Sequence, residues 1–129
     1  MSKYDVNKFK QVTVALNTPF QPDGSVDLKA VRAVVNYFYN KGIRQMYVCG
    51  STGEGFLLDT QERMAVTETV VEEAAGRMNI IVHVGCPDTR HSEELARHAE
   101  KAGADATSAV PCVYYRMGEE SVFQHWTKI

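Results

Sequence analysis

Four short apolar runs, each followed by a stretch of helical periodicity, set the main limit on what these 129 residues can become. The runs cover residues 11–16, 43–49, 80–85 and 104–111. Their starts, near Gln11, Arg44, Asn79 and Asp105, each lie about one strand-plus-helix unit apart. The third run, Ile80-Ile81-Val82-His83-Val84-Gly85, is apolar on both faces and does not alternate. Strands of that kind need cover on both sides, which a parallel sheet flanked by helices provides. The order predicts an α/β chain of parallel (β/α) units with four strands and about four helices. No linker or low-complexity run interrupts it, so residues 1–129 read as a single domain.

The intervening segments carry helix signals at both ends. Asp27 is a good N-cap for a helix over 28–41, with Leu28, Val31, Val35 and Phe38 as its apolar face and Gly42 as its left-handed stop. Asp59 and Glu62 form a capping box for a helix over 60–75. Met64, Thr67, Val70, Val71 and Ala74 are its expected buried face, and Gly76 ends it. A third helix is expected over 91–102, capped by Asp88 or Thr89, with Leu95, Ala99 and Ala102 inward and Gly103 as its stop. A fourth starts at Glu119 and is expected to run to Ile129. Between the first strand and helix, Pro19 stops regular pairing and Gln21-Pro22-Asp23-Gly24 is a turn.

Parallel βα folds bind ligands in the loops at the C-terminal ends of the strands. Here those loops cover 17–20, 50–56, 86–89 and 111–117. Thr18, Ser51, Thr52, Asp88, Tyr114 and Tyr115 are their least core-like residues. The second loop, Gly50-Ser51-Thr52-Gly53-Glu54-Gly55, is the strongest candidate site. Its glycines allow close backbone approach, and Ser51 and Thr52 add hydroxyls and backbone N–H groups at one point. Convergent donors of this sort hold an anion such as a carboxylate. A polar, glycine-rich turn is the alternative, and a lone Gly/Ser cluster does not decide between them. Glu54 reads as a loop brace rather than a catalytic acid.

Composition removes several classes of function. A net charge of −2 with mixed signs gives no reason to expect nucleic acid or an anionic membrane. No apolar run approaches the roughly 18 residues of a membrane span, and no apolar signal segment follows Met1-Ser2-Lys3-Tyr4-Asp5. Three widely spaced cysteines do not make a disulfide framework, which suits a reducing cytoplasm. Cys49, Cys86 and Cys112 fall at strand ends beside His83, but no Cys-x-x-Cys or His-x-x-x-His pair supports a zinc site, and no metal is expected. His91 and His98 lie seven apart on one helix and are expected to face solvent. No Gly-x-Gly-x-x-Gly or Walker pattern follows a strand, which speaks against nucleotide binding.

Taken together and in order, several of these residues resemble one family. Gly50-Ser51-Thr52-Gly53-Glu54 is similar to the signature of the pyruvate-dependent class I aldolases that include N-acetylneuraminate lyase and dihydrodipicolinate synthase. Ala15-Leu16-Asn17-Thr18-Pro19-Phe20 resembles that family's first strand and turn, and His83-Val84-Gly85-Cys86 resembles its lyase branch. Ser108-Ala109-Val110-Pro111-Cys112-Val113-Tyr114-Tyr115 resembles the loop after the fourth strand, although Cys112 and Val113 depart from the usual proline and aromatic residue.

The resemblance implies the first half of a (β/α)8 barrel, a fold of roughly 250 residues, here ending inside the fourth helix. It implies a Schiff-base aldolase that needs no cofactor, with pyruvate and a sialic acid as small-molecule substrates and N-acetylmannosamine as co-product. Ser51, Thr52 and Gly53 would hold the pyruvate carboxylate, and Ser51 would also serve the proton relay. Tyr114 would act in the neighbouring subunit's site within a homo-oligomer, a tetramer for the full-length member. The family's lysine has no counterpart, because none of Lys3, Lys8, Lys10, Lys29, Lys41, Lys101 or Lys128 lies at a strand C-terminal end. The chain by itself is therefore expected to be inactive. A dihydrodipicolinate synthase-type aldolase and a non-catalytic, self-assembling half-barrel are the alternatives.

Overall fold

The computed structural model describes residues 5–110 and 115–129. Four parallel strands form one sheet in the order β1-β2-β3-β4, with β1 at Val14–Ala15, β2 at Gln45–Val48, β3 at Asn79–His83 and β4 at Ala106–Ser108. The helices α1 (Leu28–Asn40), α2 (Thr60–Ala74), α3 (Thr89–Ala102) and α4 (Glu119–Trp126) follow the strands in turn. Sequential, parallel and helix-connected strands make this half of a (β/α)8 barrel.

The register shows which face meets the helices. Val14, Met46 and Ile80 lie abreast, as do Val48, Val82 and Thr107. Met46 and Val48 are wholly buried and belong to one core with Val31, Val35, Val66, Val70, Leu95 and Ala99 from α1, α2 and α3. The other face carries Ala15, Gln45, Tyr47, Ile81, His83 and Ser108, and is largely polar. Tyr47 Oη donates to Ser108 Oγ across β3 at 3.1 Å.

Caps behave as their chemistry dictates. Asp27 accepts from Ala30 N at 2.9 Å, and Lys41 caps the far end of α1 with Gly42 next at φ 86°. At α2, Asp59 accepts from Glu62 N at 2.8 Å while Glu62 accepts from Asp59 N at 2.9 Å. Asp88, not Thr89, caps α3, which therefore begins two residues before His91.

Several expectations are corrected. β1 is two residues long because Gln11–Thr13 do not pair, and Thr13 instead binds the Gln45 side chain. A 3-10 turn at Val6–Phe9 precedes it, with no strong sequence signal. Leu28, expected on the apolar face of α1, is exposed, while Val31 and Val35 are buried. On α2 the buried set is Arg63, Val66, Thr67, Thr69, Val70 and Ala74, with Met64 and Val71 only half-buried. A helix flanked by α1 and α3 and lying on β3 buries a wider and rotated arc than one apolar stripe. Ala75 already takes the left-handed conformation, φ 48°, one residue before Gly76. α4 ends at Trp126. His98 is half-buried and pairs with Glu68 of α2 at 2.8 Å, so it does not simply face solvent.

Candidate functional site

The loop after β2 reverses the chain within six residues. Gly55 N donates to Gly50 O at 3.0 Å and Glu54 N to Ser51 O at 3.1 Å. Cys49 and Glu54 flank the turn in the left-handed region, at φ 57° and 55°. Such conformations are costly for residues with a Cβ and persist where surrounding contacts over-determine them. One such contact is Thr18 Oγ1, which donates to Gly53 O at 2.7 Å from the buried turn after β1. Gly53 itself lies so close to that turn that a Cβ would stand 2.8 Å from Leu16 O.

This latch leaves Ser51 and Thr52 at the outer surface of the loop, both exposed. Their hydroxyls, and the backbone N–H groups of Ser51, Thr52 and Gly53, take no partner among the described residues. Two hydroxyls and adjacent free N–H groups at one strand end can accept a carboxylate. Thr18 is support for that loop rather than a ligand group. Glu54 is exposed, and among the described residues its carboxylate holds no backbone N–H, so it is not the expected brace. Tyr114 lies outside the described residues, as does Cys112, and Tyr115 is exposed.

Behind the loop sits a group the sequence reading passed over. Arg63, in the first turn of α2, is buried. Its guanidinium donates to His83 O at 2.6 Å, Gly85 O at 3.1 Å and Cys86 Sγ at 3.2 Å. It thereby ties the end of β3 to the helix that follows the Gly50–Gly55 loop. The spacing 63, 67, 70, 74 would have placed it on the buried face.

The remaining candidates resolve into structure. Burial pushes the Cys49 thiol up to about 11, so it stays protonated and is poorly suited to nucleophilic or metal chemistry. Cys86 is half-buried against Arg63. Asp88 caps α3 and binds His91 at 2.6 Å, which lowers its pKa. No group of three His, Cys, Asp or Glu residues gathers as a metal site among the described residues. No helix there is long and apolar enough to cross a membrane.

His83 is buried on the inner face, edge-on to Phe56 with centroids 5.5 Å apart, and its Nε2 accepts from Val110 N at 3.3 Å. Burial first, and the Arg63 charge second, lower its pKa from 6.5. The unfolded chain therefore binds a proton near that pH which the native chain refuses. The stability tied to neutral His83 is complete above about pH 6.5 and declines as pH falls below it. His83→Gln, which keeps an acceptor, should shrink the drop in urea midpoint between about pH 7.5 and pH 5.5. An equal drop in both proteins would remove His83 as its cause.

Comparison with known proteins agrees with this fold. The model of the dihydrodipicolinate synthetase family matches residues 8–129. An N-acetylneuraminate lyase of Mediterraneibacter gnavus is 36% identical over 125 residues, 97% of this chain and 40% of that protein. A 4-hydroxy-tetrahydrodipicolinate synthase of Chlorobaculum parvum is 41% identical over 117 residues, 91% of this chain and 40% of its own. The wild-type sialic acid aldolase of Ruminococcus gnavus superposes with a TM-score of 0.91 at 36% identity, over 94% of this chain and 40% of that one. The N-acetylneuraminate lyase of Mycoplasma synoviae gives 0.92 at 32%, over 96% and 43%. The chain thus spans about 40% of the length of the curated relatives it matches. With the half-barrel sheet, the latched Gly-Ser-Thr-Gly loop and a family match over nearly all of its residues, this chain belongs to the dihydrodipicolinate synthetase family.

Proposed function

We propose that the Gly50–Gly55 loop holds the carboxylate of pyruvate, and that the chain contributes this part of the site to a Schiff-base aldolase. The exposed hydroxyls of Ser51 and Thr52, beside free backbone N–H groups on the ligand-binding end of the sheet, carry the proposal. Thr52 and Gly53 bind the carboxylate, and Ser51 both binds it and relays a proton. Tyr114 completes the relay from a neighbouring copy in a tetramer. The substrate is a sialic acid, cleaved to pyruvate and N-acetylmannosamine, as supported by the relatives from Mediterraneibacter gnavus and Mycoplasma synoviae named for that chemistry and by His83-Val84-Gly85-Cys86. A dihydrodipicolinate synthase-type condensation is the second reading, favoured by the 41% identity to the Chlorobaculum parvum synthase.

The Schiff-base amine is not one of the chain's own described lysines. Lys8, Lys10, Lys29, Lys41, Lys101 and Lys128 are all exposed, and none sits at the C-terminal end of a strand. A nucleophilic lysine needs desolvation or a cationic neighbour to be unprotonated at neutral pH. Borohydride reduction in the presence of pyruvate, read by intact mass, should therefore give no stoichiometric adduct. A single lysine modified to completion would overturn this assignment.

The loop is tested by substitution in a catalytically complete protein containing this chain. Thr52→Val removes a hydrogen bond to a charged group, worth about 1.5–3 kcal/mol, and should chiefly raise KM. Ser51→Ala should lower kcat as well, because the relay acts in the transition state. Unchanged kinetics in both would place the carboxylate elsewhere.

A further inference from the structure

Arg63 is the one buried lysine or arginine among the described residues, at 3% exposure. The arginines that pair with carboxylates are Arg32, with Glu72 and Glu73, and Arg97, with Glu93, on the surface. Arg63 has no carboxylate partner among the described residues. Its guanidinium bonds to the carbonyls of His83 and Gly85, to Cys86 Sγ and, at 3.5 Å, to His83 Nδ1, all uncharged partners, and its Nε is buried with no partner among the described residues. It also sits in the first turn of α2, at the helix's positive end, where a cation is disfavoured. A buried, unpaired charge at that position is expensive to keep. Tying carbonyls together does not require a net charge.

Its location supplies a use for the charge. Arg63 lines a cavity of about 230 Å³ with Gly55, Phe56 and Leu58, at the end of the Gly50–Gly55 loop. Its own carbonyl accepts from Cys49 Sγ at 3.9 Å, next to Gly50. We infer that Arg63 is an electrostatic positioning residue: its unpaired positive charge, held beneath the loop, tightens the hold on a substrate carboxylate at Ser51 and Thr52. The inference rests on the carboxylate reading of that loop. Its charge opposes the burial-driven rise at Cys49 and adds to the burial-driven fall at His83, so it is felt at the ends of β2 and β3. Asp59 and Asp88 line the same cavity, but both are exposed and water screens them more effectively.

The test compares a charged and a neutral ligand of one shape on the labelled chain. Pyruvate and pyruvamide are titrated while the amide resonances of Ser51, Thr52 and Gly53 are followed. A unit charge acting over a span of about 10 Å at an effective dielectric near 20 changes anion affinity on the order of tenfold. Arg63→Gln should therefore weaken pyruvate about tenfold and leave pyruvamide unchanged, while Arg63→Lys should stay within about threefold of the parent. Equal losses for both ligands, or none, in a folded Arg63→Gln chain would overturn the inference. If that variant does not fold, a tenfold pyruvate loss in folded Arg63→Lys overturns it instead. In the unaltered chain the preference for pyruvate should survive about 0.5 M salt, since a buried charge is weakly screened, and its collapse would count against Arg63. Weaker pyruvate binding in Thr52→Val alongside unchanged binding in Arg63→Gln would keep the loop reading and remove Arg63 from it. No pyruvate shift at all in the unaltered chain would remove both.

Discussion

Gly55→Ala is expected to abolish the native loop and leave a chain that is largely unfolded or melts far below the parent. A Cβ at position 55 would stand 1.9 Å from Cys49 O and 2.7 Å from Cys49 C, with no flexible side chain available to give way. The collision is with backbone at the end of the central strand β2, between the buried residues Val48 and Gly50. Moving that backbone breaks the Gly55 N to Gly50 O bond and disturbs the Gly53 latch on Thr18. Substitutions of this kind belong to the tail beyond about 4 kcal/mol, a large share of the 5–15 kcal/mol typical of a whole domain. Gly24→Ala is the control. Gly24 has a positive φ of 89° but nothing within 4 Å of an added Cβ. It should cost only the left-handed strain, roughly 1–2 kcal/mol. Thermal and urea unfolding of the two variants side by side decides the point. A Gly55→Ala chain as stable as Gly24→Ala would mean that the loop does not take this conformation.

In solution the 129-residue chain is expected as a dimer or larger assembly, or as an aggregate, and not as a stable monomer. β1 pairs only with β2 and β4 only with β3, so each has one outer edge with no partner strand among the described residues. An open parallel edge presents unpaired N–H and C=O groups beside apolar side chains and invites another chain. Beside β4 a cleft of about 530 Å³ opens between α3 and the C-terminal segment, lined by Ala96, Arg97, Ala106, Thr107 and Ile129. Apolar exposure gathers in the same part of the chain, where Phe123 and Trp126 are 61% and 50% exposed. The inner face contributes less than a barrel interior of aliphatic residues would, because Tyr47, His83 and Ser108 make it polar. Two copies related by a two-fold axis can set each β1 beside the other's β4 and close both edges. Light scattering across a size-exclusion peak at low micromolar concentration measures the outcome. A monodisperse, cooperatively melting monomer near 14.4 kDa would refute it.

Much of the architecture was legible before any coordinates. Strand order, parallel connection and helix starts follow from local chemistry, namely apolar runs, helical spacing and Asp27, Asp59 and Asp88 as caps. Each signal lies within a few residues of the feature it produces. All four strands are shorter than the apolar runs that announced them, by most at β1 and β4, which lie at the edges and have a single neighbour to pair with. Glu54 was misassigned because the turn that aims its side chain outward is held from elsewhere.

The motif Gly50-Ser51-Thr52-Gly53 was visible as a candidate ligand loop, but the contacts that hold its shape were not. Thr18 reaches Gly53 across 35 positions, and Arg63 reaches His83 across 20. A sequence records that a threonine and an arginine are present and on which helical face they fall. Whether an arginine on a buried face finds a carboxylate depends on which residues the sheet brings alongside. The linear order of residues thus set the elements, their sequence and the chemistry of the loop, because those rest on short-range periodicity and capping. Packing of α2 against the ends of β2 and β3 decided that Arg63 is buried with no carboxylate partner among the described residues, that Thr18 latches the loop, and that Ser51 and Thr52 face outward.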